Sequence, residues 1–307
     1  MSAPPDAIAA RAGRACPRGF DGLAALALAG PAALLLVVLF FLPVVAVFAI
    51  ALTDWQLGAP ALRFIGLDNF ADLARDPVFR RSLANTLVFV AVAVPVTTGL
   101  ALLIALLIES GRSLRSLYRT LHFLPFMATM AAMALSWEAL LHPTIGLLNQ
   151  ILAGIGLPTR NWLRDETTVL AALGAIFVWQ NLGYALVLYL AGLKAIPGEL
   201  YDAADIDGAD GPLSRAGSVT LPLLGPVTMF VVVVVGVRAF EVFDTVKVLT
   251  RGGPAQASET LLHTLYNESF DFLRTGYGAA ISVVFLVLLV ALTLANARLM
   301  ERKVHYQ

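Results

Sequence analysis

Apolar residues run through this chain in six long stretches that carry no charge, at 23–52, 87–108, 121–137, 167–193, 216–237 and 275–297. A hydrocarbon layer about 30 Å thick is crossed by roughly 20 helical residues at about 1.5 Å each. None of the stretches alternates with the two-residue period of a barrel strand, and a segment in lipid must satisfy its backbone groups internally. The pattern therefore predicts an all-α integral membrane protein with six transmembrane helices. It divides into an N-terminal tail 1–22, a first transmembrane helix 23–52, an outer loop 53–86, a five-helix core 87–297 and a tail 298–307. The first stretch follows Arg11, Arg14 and Arg18 as a signal peptide would, yet its apolar part is about twice the usual length, so it reads as a retained helix kinked by Pro31 and Pro43.

Composition narrows the function. Hydrophobic residues make up 59% of 307 and charged residues 14%, and the mean hydropathy of +0.80 excludes a pair of soluble domains. Lys plus Arg equals Asp plus Glu at 21 each, which leaves no basic excess for nucleic acid. Cys16 is the single cysteine, and His122, His142, His263 and His305 are scattered without metal-ligand spacing. No Gly-Lys pair exists, so the chain has no phosphate-binding loop and no cofactor of its own is expected. With six spans both termini share one side, but Lys and Arg divide almost evenly between the two faces and do not orient the chain.

The loops and the polar residues inside the spans carry the rest. The outer segments 53–86, 142–166 and 238–274 are long enough to hold short surface helices. In the inner loop 194–218, Pro197 suits a first helical turn, Glu199 and Asp202 complement the helix dipole, and Gly208 suits the stop. Ala203 and Ala204 would let a partner approach closely, and Glu199, Asp202 and Asp205 recur at three-residue steps as an acidic edge. On these features alone a solvated helix without a partner is equally compatible. Near the middle of the fourth stretch, Trp179, Gln180, Asn181 and Tyr184 are costly against lipid and suit a polar path, with amides for hydroxyl groups and rings to stack on sugars. Hydrogen bonding between helices would suit the same residues. At the outer end of the fifth stretch, Arg238 and Glu241 are one turn apart and read first as a structural pair. Phe240, Phe243 and Asp244 are further path candidates, and Arg238 could instead meet an anionic solute.

The stretch from Leu190 to Ala209, followed by Val219-Thr-Leu-Pro222, resembles the cytoplasmic EAA loop of permease subunits in binding-protein-dependent ABC importers. Asp202 stands where the family usually has Glu, Ala203 and Ala204 match its alanines, and Gly208 its glycine. Residues 209–218 are one more than the family usually places before the closing Leu221-Pro222, and Pro212 falls where a second short helix would begin. Further likeness to the carbohydrate and glycerol-3-phosphate branch lies in Phe64-Ile-Gly-Leu-Asp-Asn-Phe70, Gly146-Leu-Leu-Asn149, Phe243-Asp244, Leu249-Thr-Arg-Gly-Gly-Pro-Ala255, Ser258-Glu-Thr260 and Gly276-Tyr-Gly-Ala-Ala280.

That resemblance implies the type I importer permease fold and a transport subunit that is not an enzyme. Its expected partners are a second permease subunit, two cytoplasmic ABC ATPases that bind ATP and Mg, an extracytoplasmic solute-binding protein and the lipid bilayer. It further implies a bacterial inner-membrane location with both termini cytoplasmic. Glu199, Asp202, Ala203, Ala204, Asp205, Gly208, Leu221 and Pro222 would form the coupling loop, and the solute would be a sugar, a polyol or a glycerol-3-phosphate-like compound. A stand-alone ion-coupled carrier is the alternative, although no carboxylate lies inside any of the six stretches to relay protons.

Overall fold

The computed structural model describes residues 21–110, 115–209 and 211–301; the expectations resting on Arg11, Arg14, Cys16, Arg18 and the end of the C-terminal tail lie outside them. The chain divides into two compact units, Met1–Ala49 and Ile50–Gln307. In the first, helix α1 (Asp21–Leu36) passes through a π-helical turn at Val37–Phe41 into α2 (Leu42–Ala51). The turn ends just ahead of Pro43, whose ring and missing N–H disturb regular bonding one turn back. No side chain from 26 to 49 is buried, so this helix presents apolar groups on every side, as a span in lipid does.

In the second unit, the outer segment forms α3 (Asp68–Arg75), and α4 (Pro77–Ser110) starts ten residues before its apolar stretch. Pro77 opens α4 where its absent N–H costs nothing, and Arg80 and Arg81 sit on this helix rather than in a loop. At 34 residues α4 is about 51 Å long, so it overhangs the hydrocarbon layer. The fourth stretch is α8 (Val169–Ala195) and the sixth is α14 (Thr275–Glu301).

Two expected spans are not straight. The third stretch breaks into α5 (Arg115–Met127) and α6 (Met130–Leu140), and its segments 120–127 and 132–140 meet at 111°. Pro125 removes a bond inside α5 and Thr129 is extended, so the shortest of the six stretches cannot continue as one helix. The fifth bends by 55° between 216–223 and α12 (Gly225–Phe240), where Pro222, Gly225 and Pro226 cluster. Among the described residues four helices are long and apolar enough to cross a membrane, and up to six spans result if each bent pair counts as one. Among the described residues the strand content is one isolated bridge, Thr53 to Phe64.

The core lies where α4, α8 and α12 meet, with α5 on the side of α8 and α14 on that of α12. Phe89 meets Phe177 edge-on at 5.4 Å, and Leu173, Ile176, Leu186, Tyr189, Val231 and Val235 are fully enclosed. Association in lipid relies on close packing rather than on water exclusion, so small residues mark the tightest crossings. At Gly183 the backbone of His122 and Phe123 passes so near that a Cβ would overlap the His122 carbonyl. Gly183→Val should therefore push α5 off α8 and cost about 3 kcal/mol or more. A lowered melting temperature in detergent checks this, and an unchanged one would mean that α5 does not cross at Gly183.

Candidate functional site

The middle of α8, the end of α12 with the residues after it, and the last turn of α5 border a cavity of 220 Å³, lined among others by Phe126, Gln180, Asn181, Arg238, Glu241, Phe243 and Asp244. Four of the seven path residues expected from sequence thus meet in one place: Gln180, Asn181, Phe243 and Asp244. Asn181 is 4% exposed and donates its Nδ2–H to the Phe177 carbonyl at 3.0 Å, which leaves its side-chain oxygen without a protein partner among the described residues. The fifth, Tyr184, one turn below Gln180, stacks on Phe126 at 4.9 Å and forms a wall behind the cavity.

Two candidates lie elsewhere. Phe240 is 3% exposed, packed edge-on against Phe285 in the core, because its position on α12 turns it away from α8. Trp179 faces a separate apolar groove between α4 and α8 and meets Trp137 edge-on at 5.2 Å. The expected Arg238–Glu241 pair does not form. The Arg238 guanidinium instead lies 4.7 Å from the Phe126 ring centre and 5.2 Å from that of Tyr184. Phe126 comes to the cavity from the last turn of α5, where that helix crosses α8 beside Gly183 and Tyr184, and no local pattern in the sequence singles it out.

The inner loop folds as its residue types dictate. Helix α9 (Gly198–Ile206) begins after Pro197 and carries Glu199 in its first turn. It ends in a Schellman pattern: Gly208 is left-handed at φ +88°, its N–H bonds the Asp205 carbonyl at 3.1 Å, and the Ala209 N–H bonds the Ala204 carbonyl at 2.8 Å. Glu199, Asp202, Ala203, Gly208, Leu221 and Pro222 are exposed, while Ala204 is buried. Asp205 is not part of a free acidic edge, because Arg215 holds it through one hydrogen bond of 2.6 Å and a second ion-pair contact of 2.6 Å. Pro212 does not interrupt the second short helix but opens it, as the first residue of α10 (Pro212–Arg215). The Tyr201 hydroxyl lies 3.1 Å from that of Thr220 and ties α9 to the turn leading into α12.

In the segments 53–86 and 142–166, buried asparagines stand in for regular backbone pairing. Asn69 donates to the carbonyls of Ala51 and Thr53, and Asn85 to those of Gln256 and Glu259. Asn149 donates to Pro143 and Arg160 and accepts from the Trp162 indole. Ser258 bonds the Gly253 carbonyl, Thr260 that of Val242, and Glu259 meets His263 at 2.7 Å. The short helix α13 (Leu261–Tyr266) follows, and beyond it the buried Glu268 pairs with Arg274. Burial holds the Glu268 carboxyl above its usual range against the opposing pull of Arg274.

The family model for the "Binding-protein-dependent transport system inner membrane component" matches residues 78–306. A probable ABC transporter permease protein of Bacillus subtilis (strain 168) is 36% identical over 87% of this chain and 92% of its own length. The sn-glycerol-3-phosphate transport system permease protein UgpA of Agrobacterium fabrum is 34% identical over 91% of this chain and 95% of its own. Among solved structures, a chain of a bacterial alginate ABC transporter superposes with a TM-score of 0.78 at 21% identity, over 90% of this chain and 93% of that one.

Glu268 yields a pH prediction. A carboxyl that holds its proton more tightly folded than unfolded contributes stability that is full below the ordinary value of 4.5 and lost as pH rises through the raised value. Glu268→Gln should therefore flatten the decline in melting temperature on the alkaline side of about pH 4.5. Equal slopes for variant and wild type would rule out burial as the controlling cause.

Proposed function

The chain belongs to the family of inner membrane components of binding-protein-dependent transport systems, and on that membership we propose how its residues do the work of such a permease. It is a multi-pass transport subunit of an ATP-driven importer and not an enzyme, and the family decides against a stand-alone ion-coupled carrier. ATPase and binding-protein partners follow from that membership. We infer further that a second permease subunit completes the pathway, that the ATPase subunits bind ATP and Mg, and that residues 194–218 and both termini face the cytoplasm. The solute is a sugar, a polyol or a glycerol-3-phosphate-like compound, in keeping with the glycerol-3-phosphate permease among the relatives.

One observation carries the reading: the inner loop joins the two helices that wall the cavity. Asn181 on α8 is about 21 Å of helix from Ala195, after which the chain enters α9, turns, and rises through the 55° bend into α12 and Arg238. A partner that displaces α9 therefore pulls on both walls at once. α8 is a continuous rod, whereas the other arm has a bend to absorb rotation, so the walls move unequally and the cavity changes shape. That supports alternating access, in which ATPase closure and opening shift the bundle between two arrangements. The exposed face of Glu199, Asp202, Ala203 and Gly208, ending at Leu221 and Pro222, is the proposed contact with the ATPase. Gln180, Asn181, Phe243 and Asp244 are the proposed solute contacts.

The tagged chain should co-purify from native membranes with an ABC ATPase, a second permease and a solute-binding protein; a chain recovered alone that moves solute in liposomes without ATP would overturn the reading. Gly208→Val should leave assembly intact but lower uptake per ATP hydrolysed by tenfold or more, since a branched residue cannot hold the left-handed stop. Normal uptake and stimulated ATPase in that variant would remove α9 geometry from coupling. Asn181→Leu should reduce uptake with the complex still formed, and unchanged rate and affinity would remove Asn181 from the solute path.

A further inference from the structure

Among the described cations of the second unit, Arg238 alone lies against two aromatic rings. Its guanidinium rests on the paired rings of Phe126 and Tyr184, and among the described residues it makes no hydrogen bond and no ion pair. Lys247, Arg215 and Arg274, by contrast, are each satisfied by a carboxylate. Ring faces attract a cation without using its N–H groups, so they fix the position of the guanidinium and leave its donors free. Those donors border the 220 Å³ cavity, whose opposite lining includes the amides of Gln180 and Asn181. Glu241 and Asp244 follow Arg238 at one-turn steps, line the same cavity and are likewise unpaired. The nearest carboxylates thus do not neutralise Arg238, although each is close enough in sequence to have been recruited.

We propose that Arg238 is an anion anchor, and that the solute handled at this cavity is a small hydroxylated compound bearing one phosphate or carboxylate group. A planar guanidinium presents parallel N–H donors that match the two oxygens of either group, which an ammonium cannot do. The two carboxylates and the amides then accept and donate to the hydroxyls at the other end of the solute. Glu241 and Asp244 also set a limit, because they repel negative charge at the hydroxyl end and so disfavour a compound that is anionic at both ends. A cavity of this volume is smaller than the usual pocket for a drug-sized ligand, and it suits a three- to six-carbon solute or one terminal unit of a longer one. The inference rests on the proposed reading of the cavity as part of the solute path.

The test uses the assembled importer in lipid nanodiscs, with co-purification of the ATPase as the check on assembly. Binding of sn-glycerol-3-phosphate and of glucuronate is measured by calorimetry against glycerol and glucose. The expected result is that at least one anionic probe binds tenfold or more tightly than its neutral counterpart, and the better of the two identifies phosphate or carboxylate as the preferred group. Arg238→Gln should abolish that preference, and Arg238→Lys should keep only part of it. Asp244→Asn should move in the opposite direction, tightening the anionic probe severalfold by removing repulsion, an effect that damaged packing would not produce. Equal binding of anionic and neutral probes, or an Arg238→Gln variant that retains the preference, overturns the proposal. If Arg238→Gln does not assemble, an Asp244→Asn variant with unchanged anion affinity overturns it. A complex that holds its ATPase but shows no anion preference rejects the anchor alone, whereas a chain without ATPase rejects the importer reading.

Discussion

A backbone amide or carbonyl stripped of water must find a partner close at hand, because leaving it unpaired in hydrocarbon costs several kcal/mol. This constraint shapes the second unit. Where the chain is regular it forms the long helices α4, α8 and α14, which bond themselves. Where it must depart from helix, particular side chains take over. Asn69, Asn85 and Asn149 reach back to carbonyls of neighbouring segments, and Thr86 accepts the N–H of Leu261, so the irregular outer segments are pinned to the helices beneath them.

The breaks in the third and fifth spans follow from the same constraint and fall beside the working parts of the molecule. Pro125 lies in the last turn of α5, one residue before Phe126, and the Phe126 ring borders the cavity beside Arg238. Pro222, Gly225 and Pro226 bend the fifth span just beyond the inner loop. A permease of this family has to change shape without losing its backbone bonding, and a pre-existing bend lets rotation occur where helical bonds are already absent. α8 has no such break between Asn181 and Ala195 and runs there as one continuous helix.

Cavity and core separate by chemistry as much as by shape. Phe240 and Phe243 are neighbours in sequence, yet one packs against Phe285 and the other borders the cavity. The α-helix ends at Phe240, and the change of direction there swings the following residues toward α8. The charges at 238, 241 and 244 accumulate on this end because it is the part of the fifth span with polar groups opposite it. Such groups against lipid would be costly, which is why they meet the amides of α8 across a cavity.

Much of the molecule could be read from the order of its residues. Hydrophobic run lengths determine that it spans a membrane as helices, and Pro197, Glu199 and Gly208 determine a short helix in the inner loop with its start and stop, because each acts on the backbone within one turn of itself. The same local logic determined that Gln180 and Asn181 would avoid lipid. Tertiary structure alone decided the rest. That Arg238 would leave Glu241 for two rings, that Arg215 would withdraw Asp205 from the acidic edge, and that the Trp179 side of α8 would border an apolar groove while its Asn181 side borders the cavity depend on where a second helix arrives. The third span reads as continuous because no charge interrupts it, and hydropathy is blind to direction. Pro125 could mark a kink, but the crossing of α5 over Gly183 is a contact between residues about sixty positions apart that no local pattern encodes.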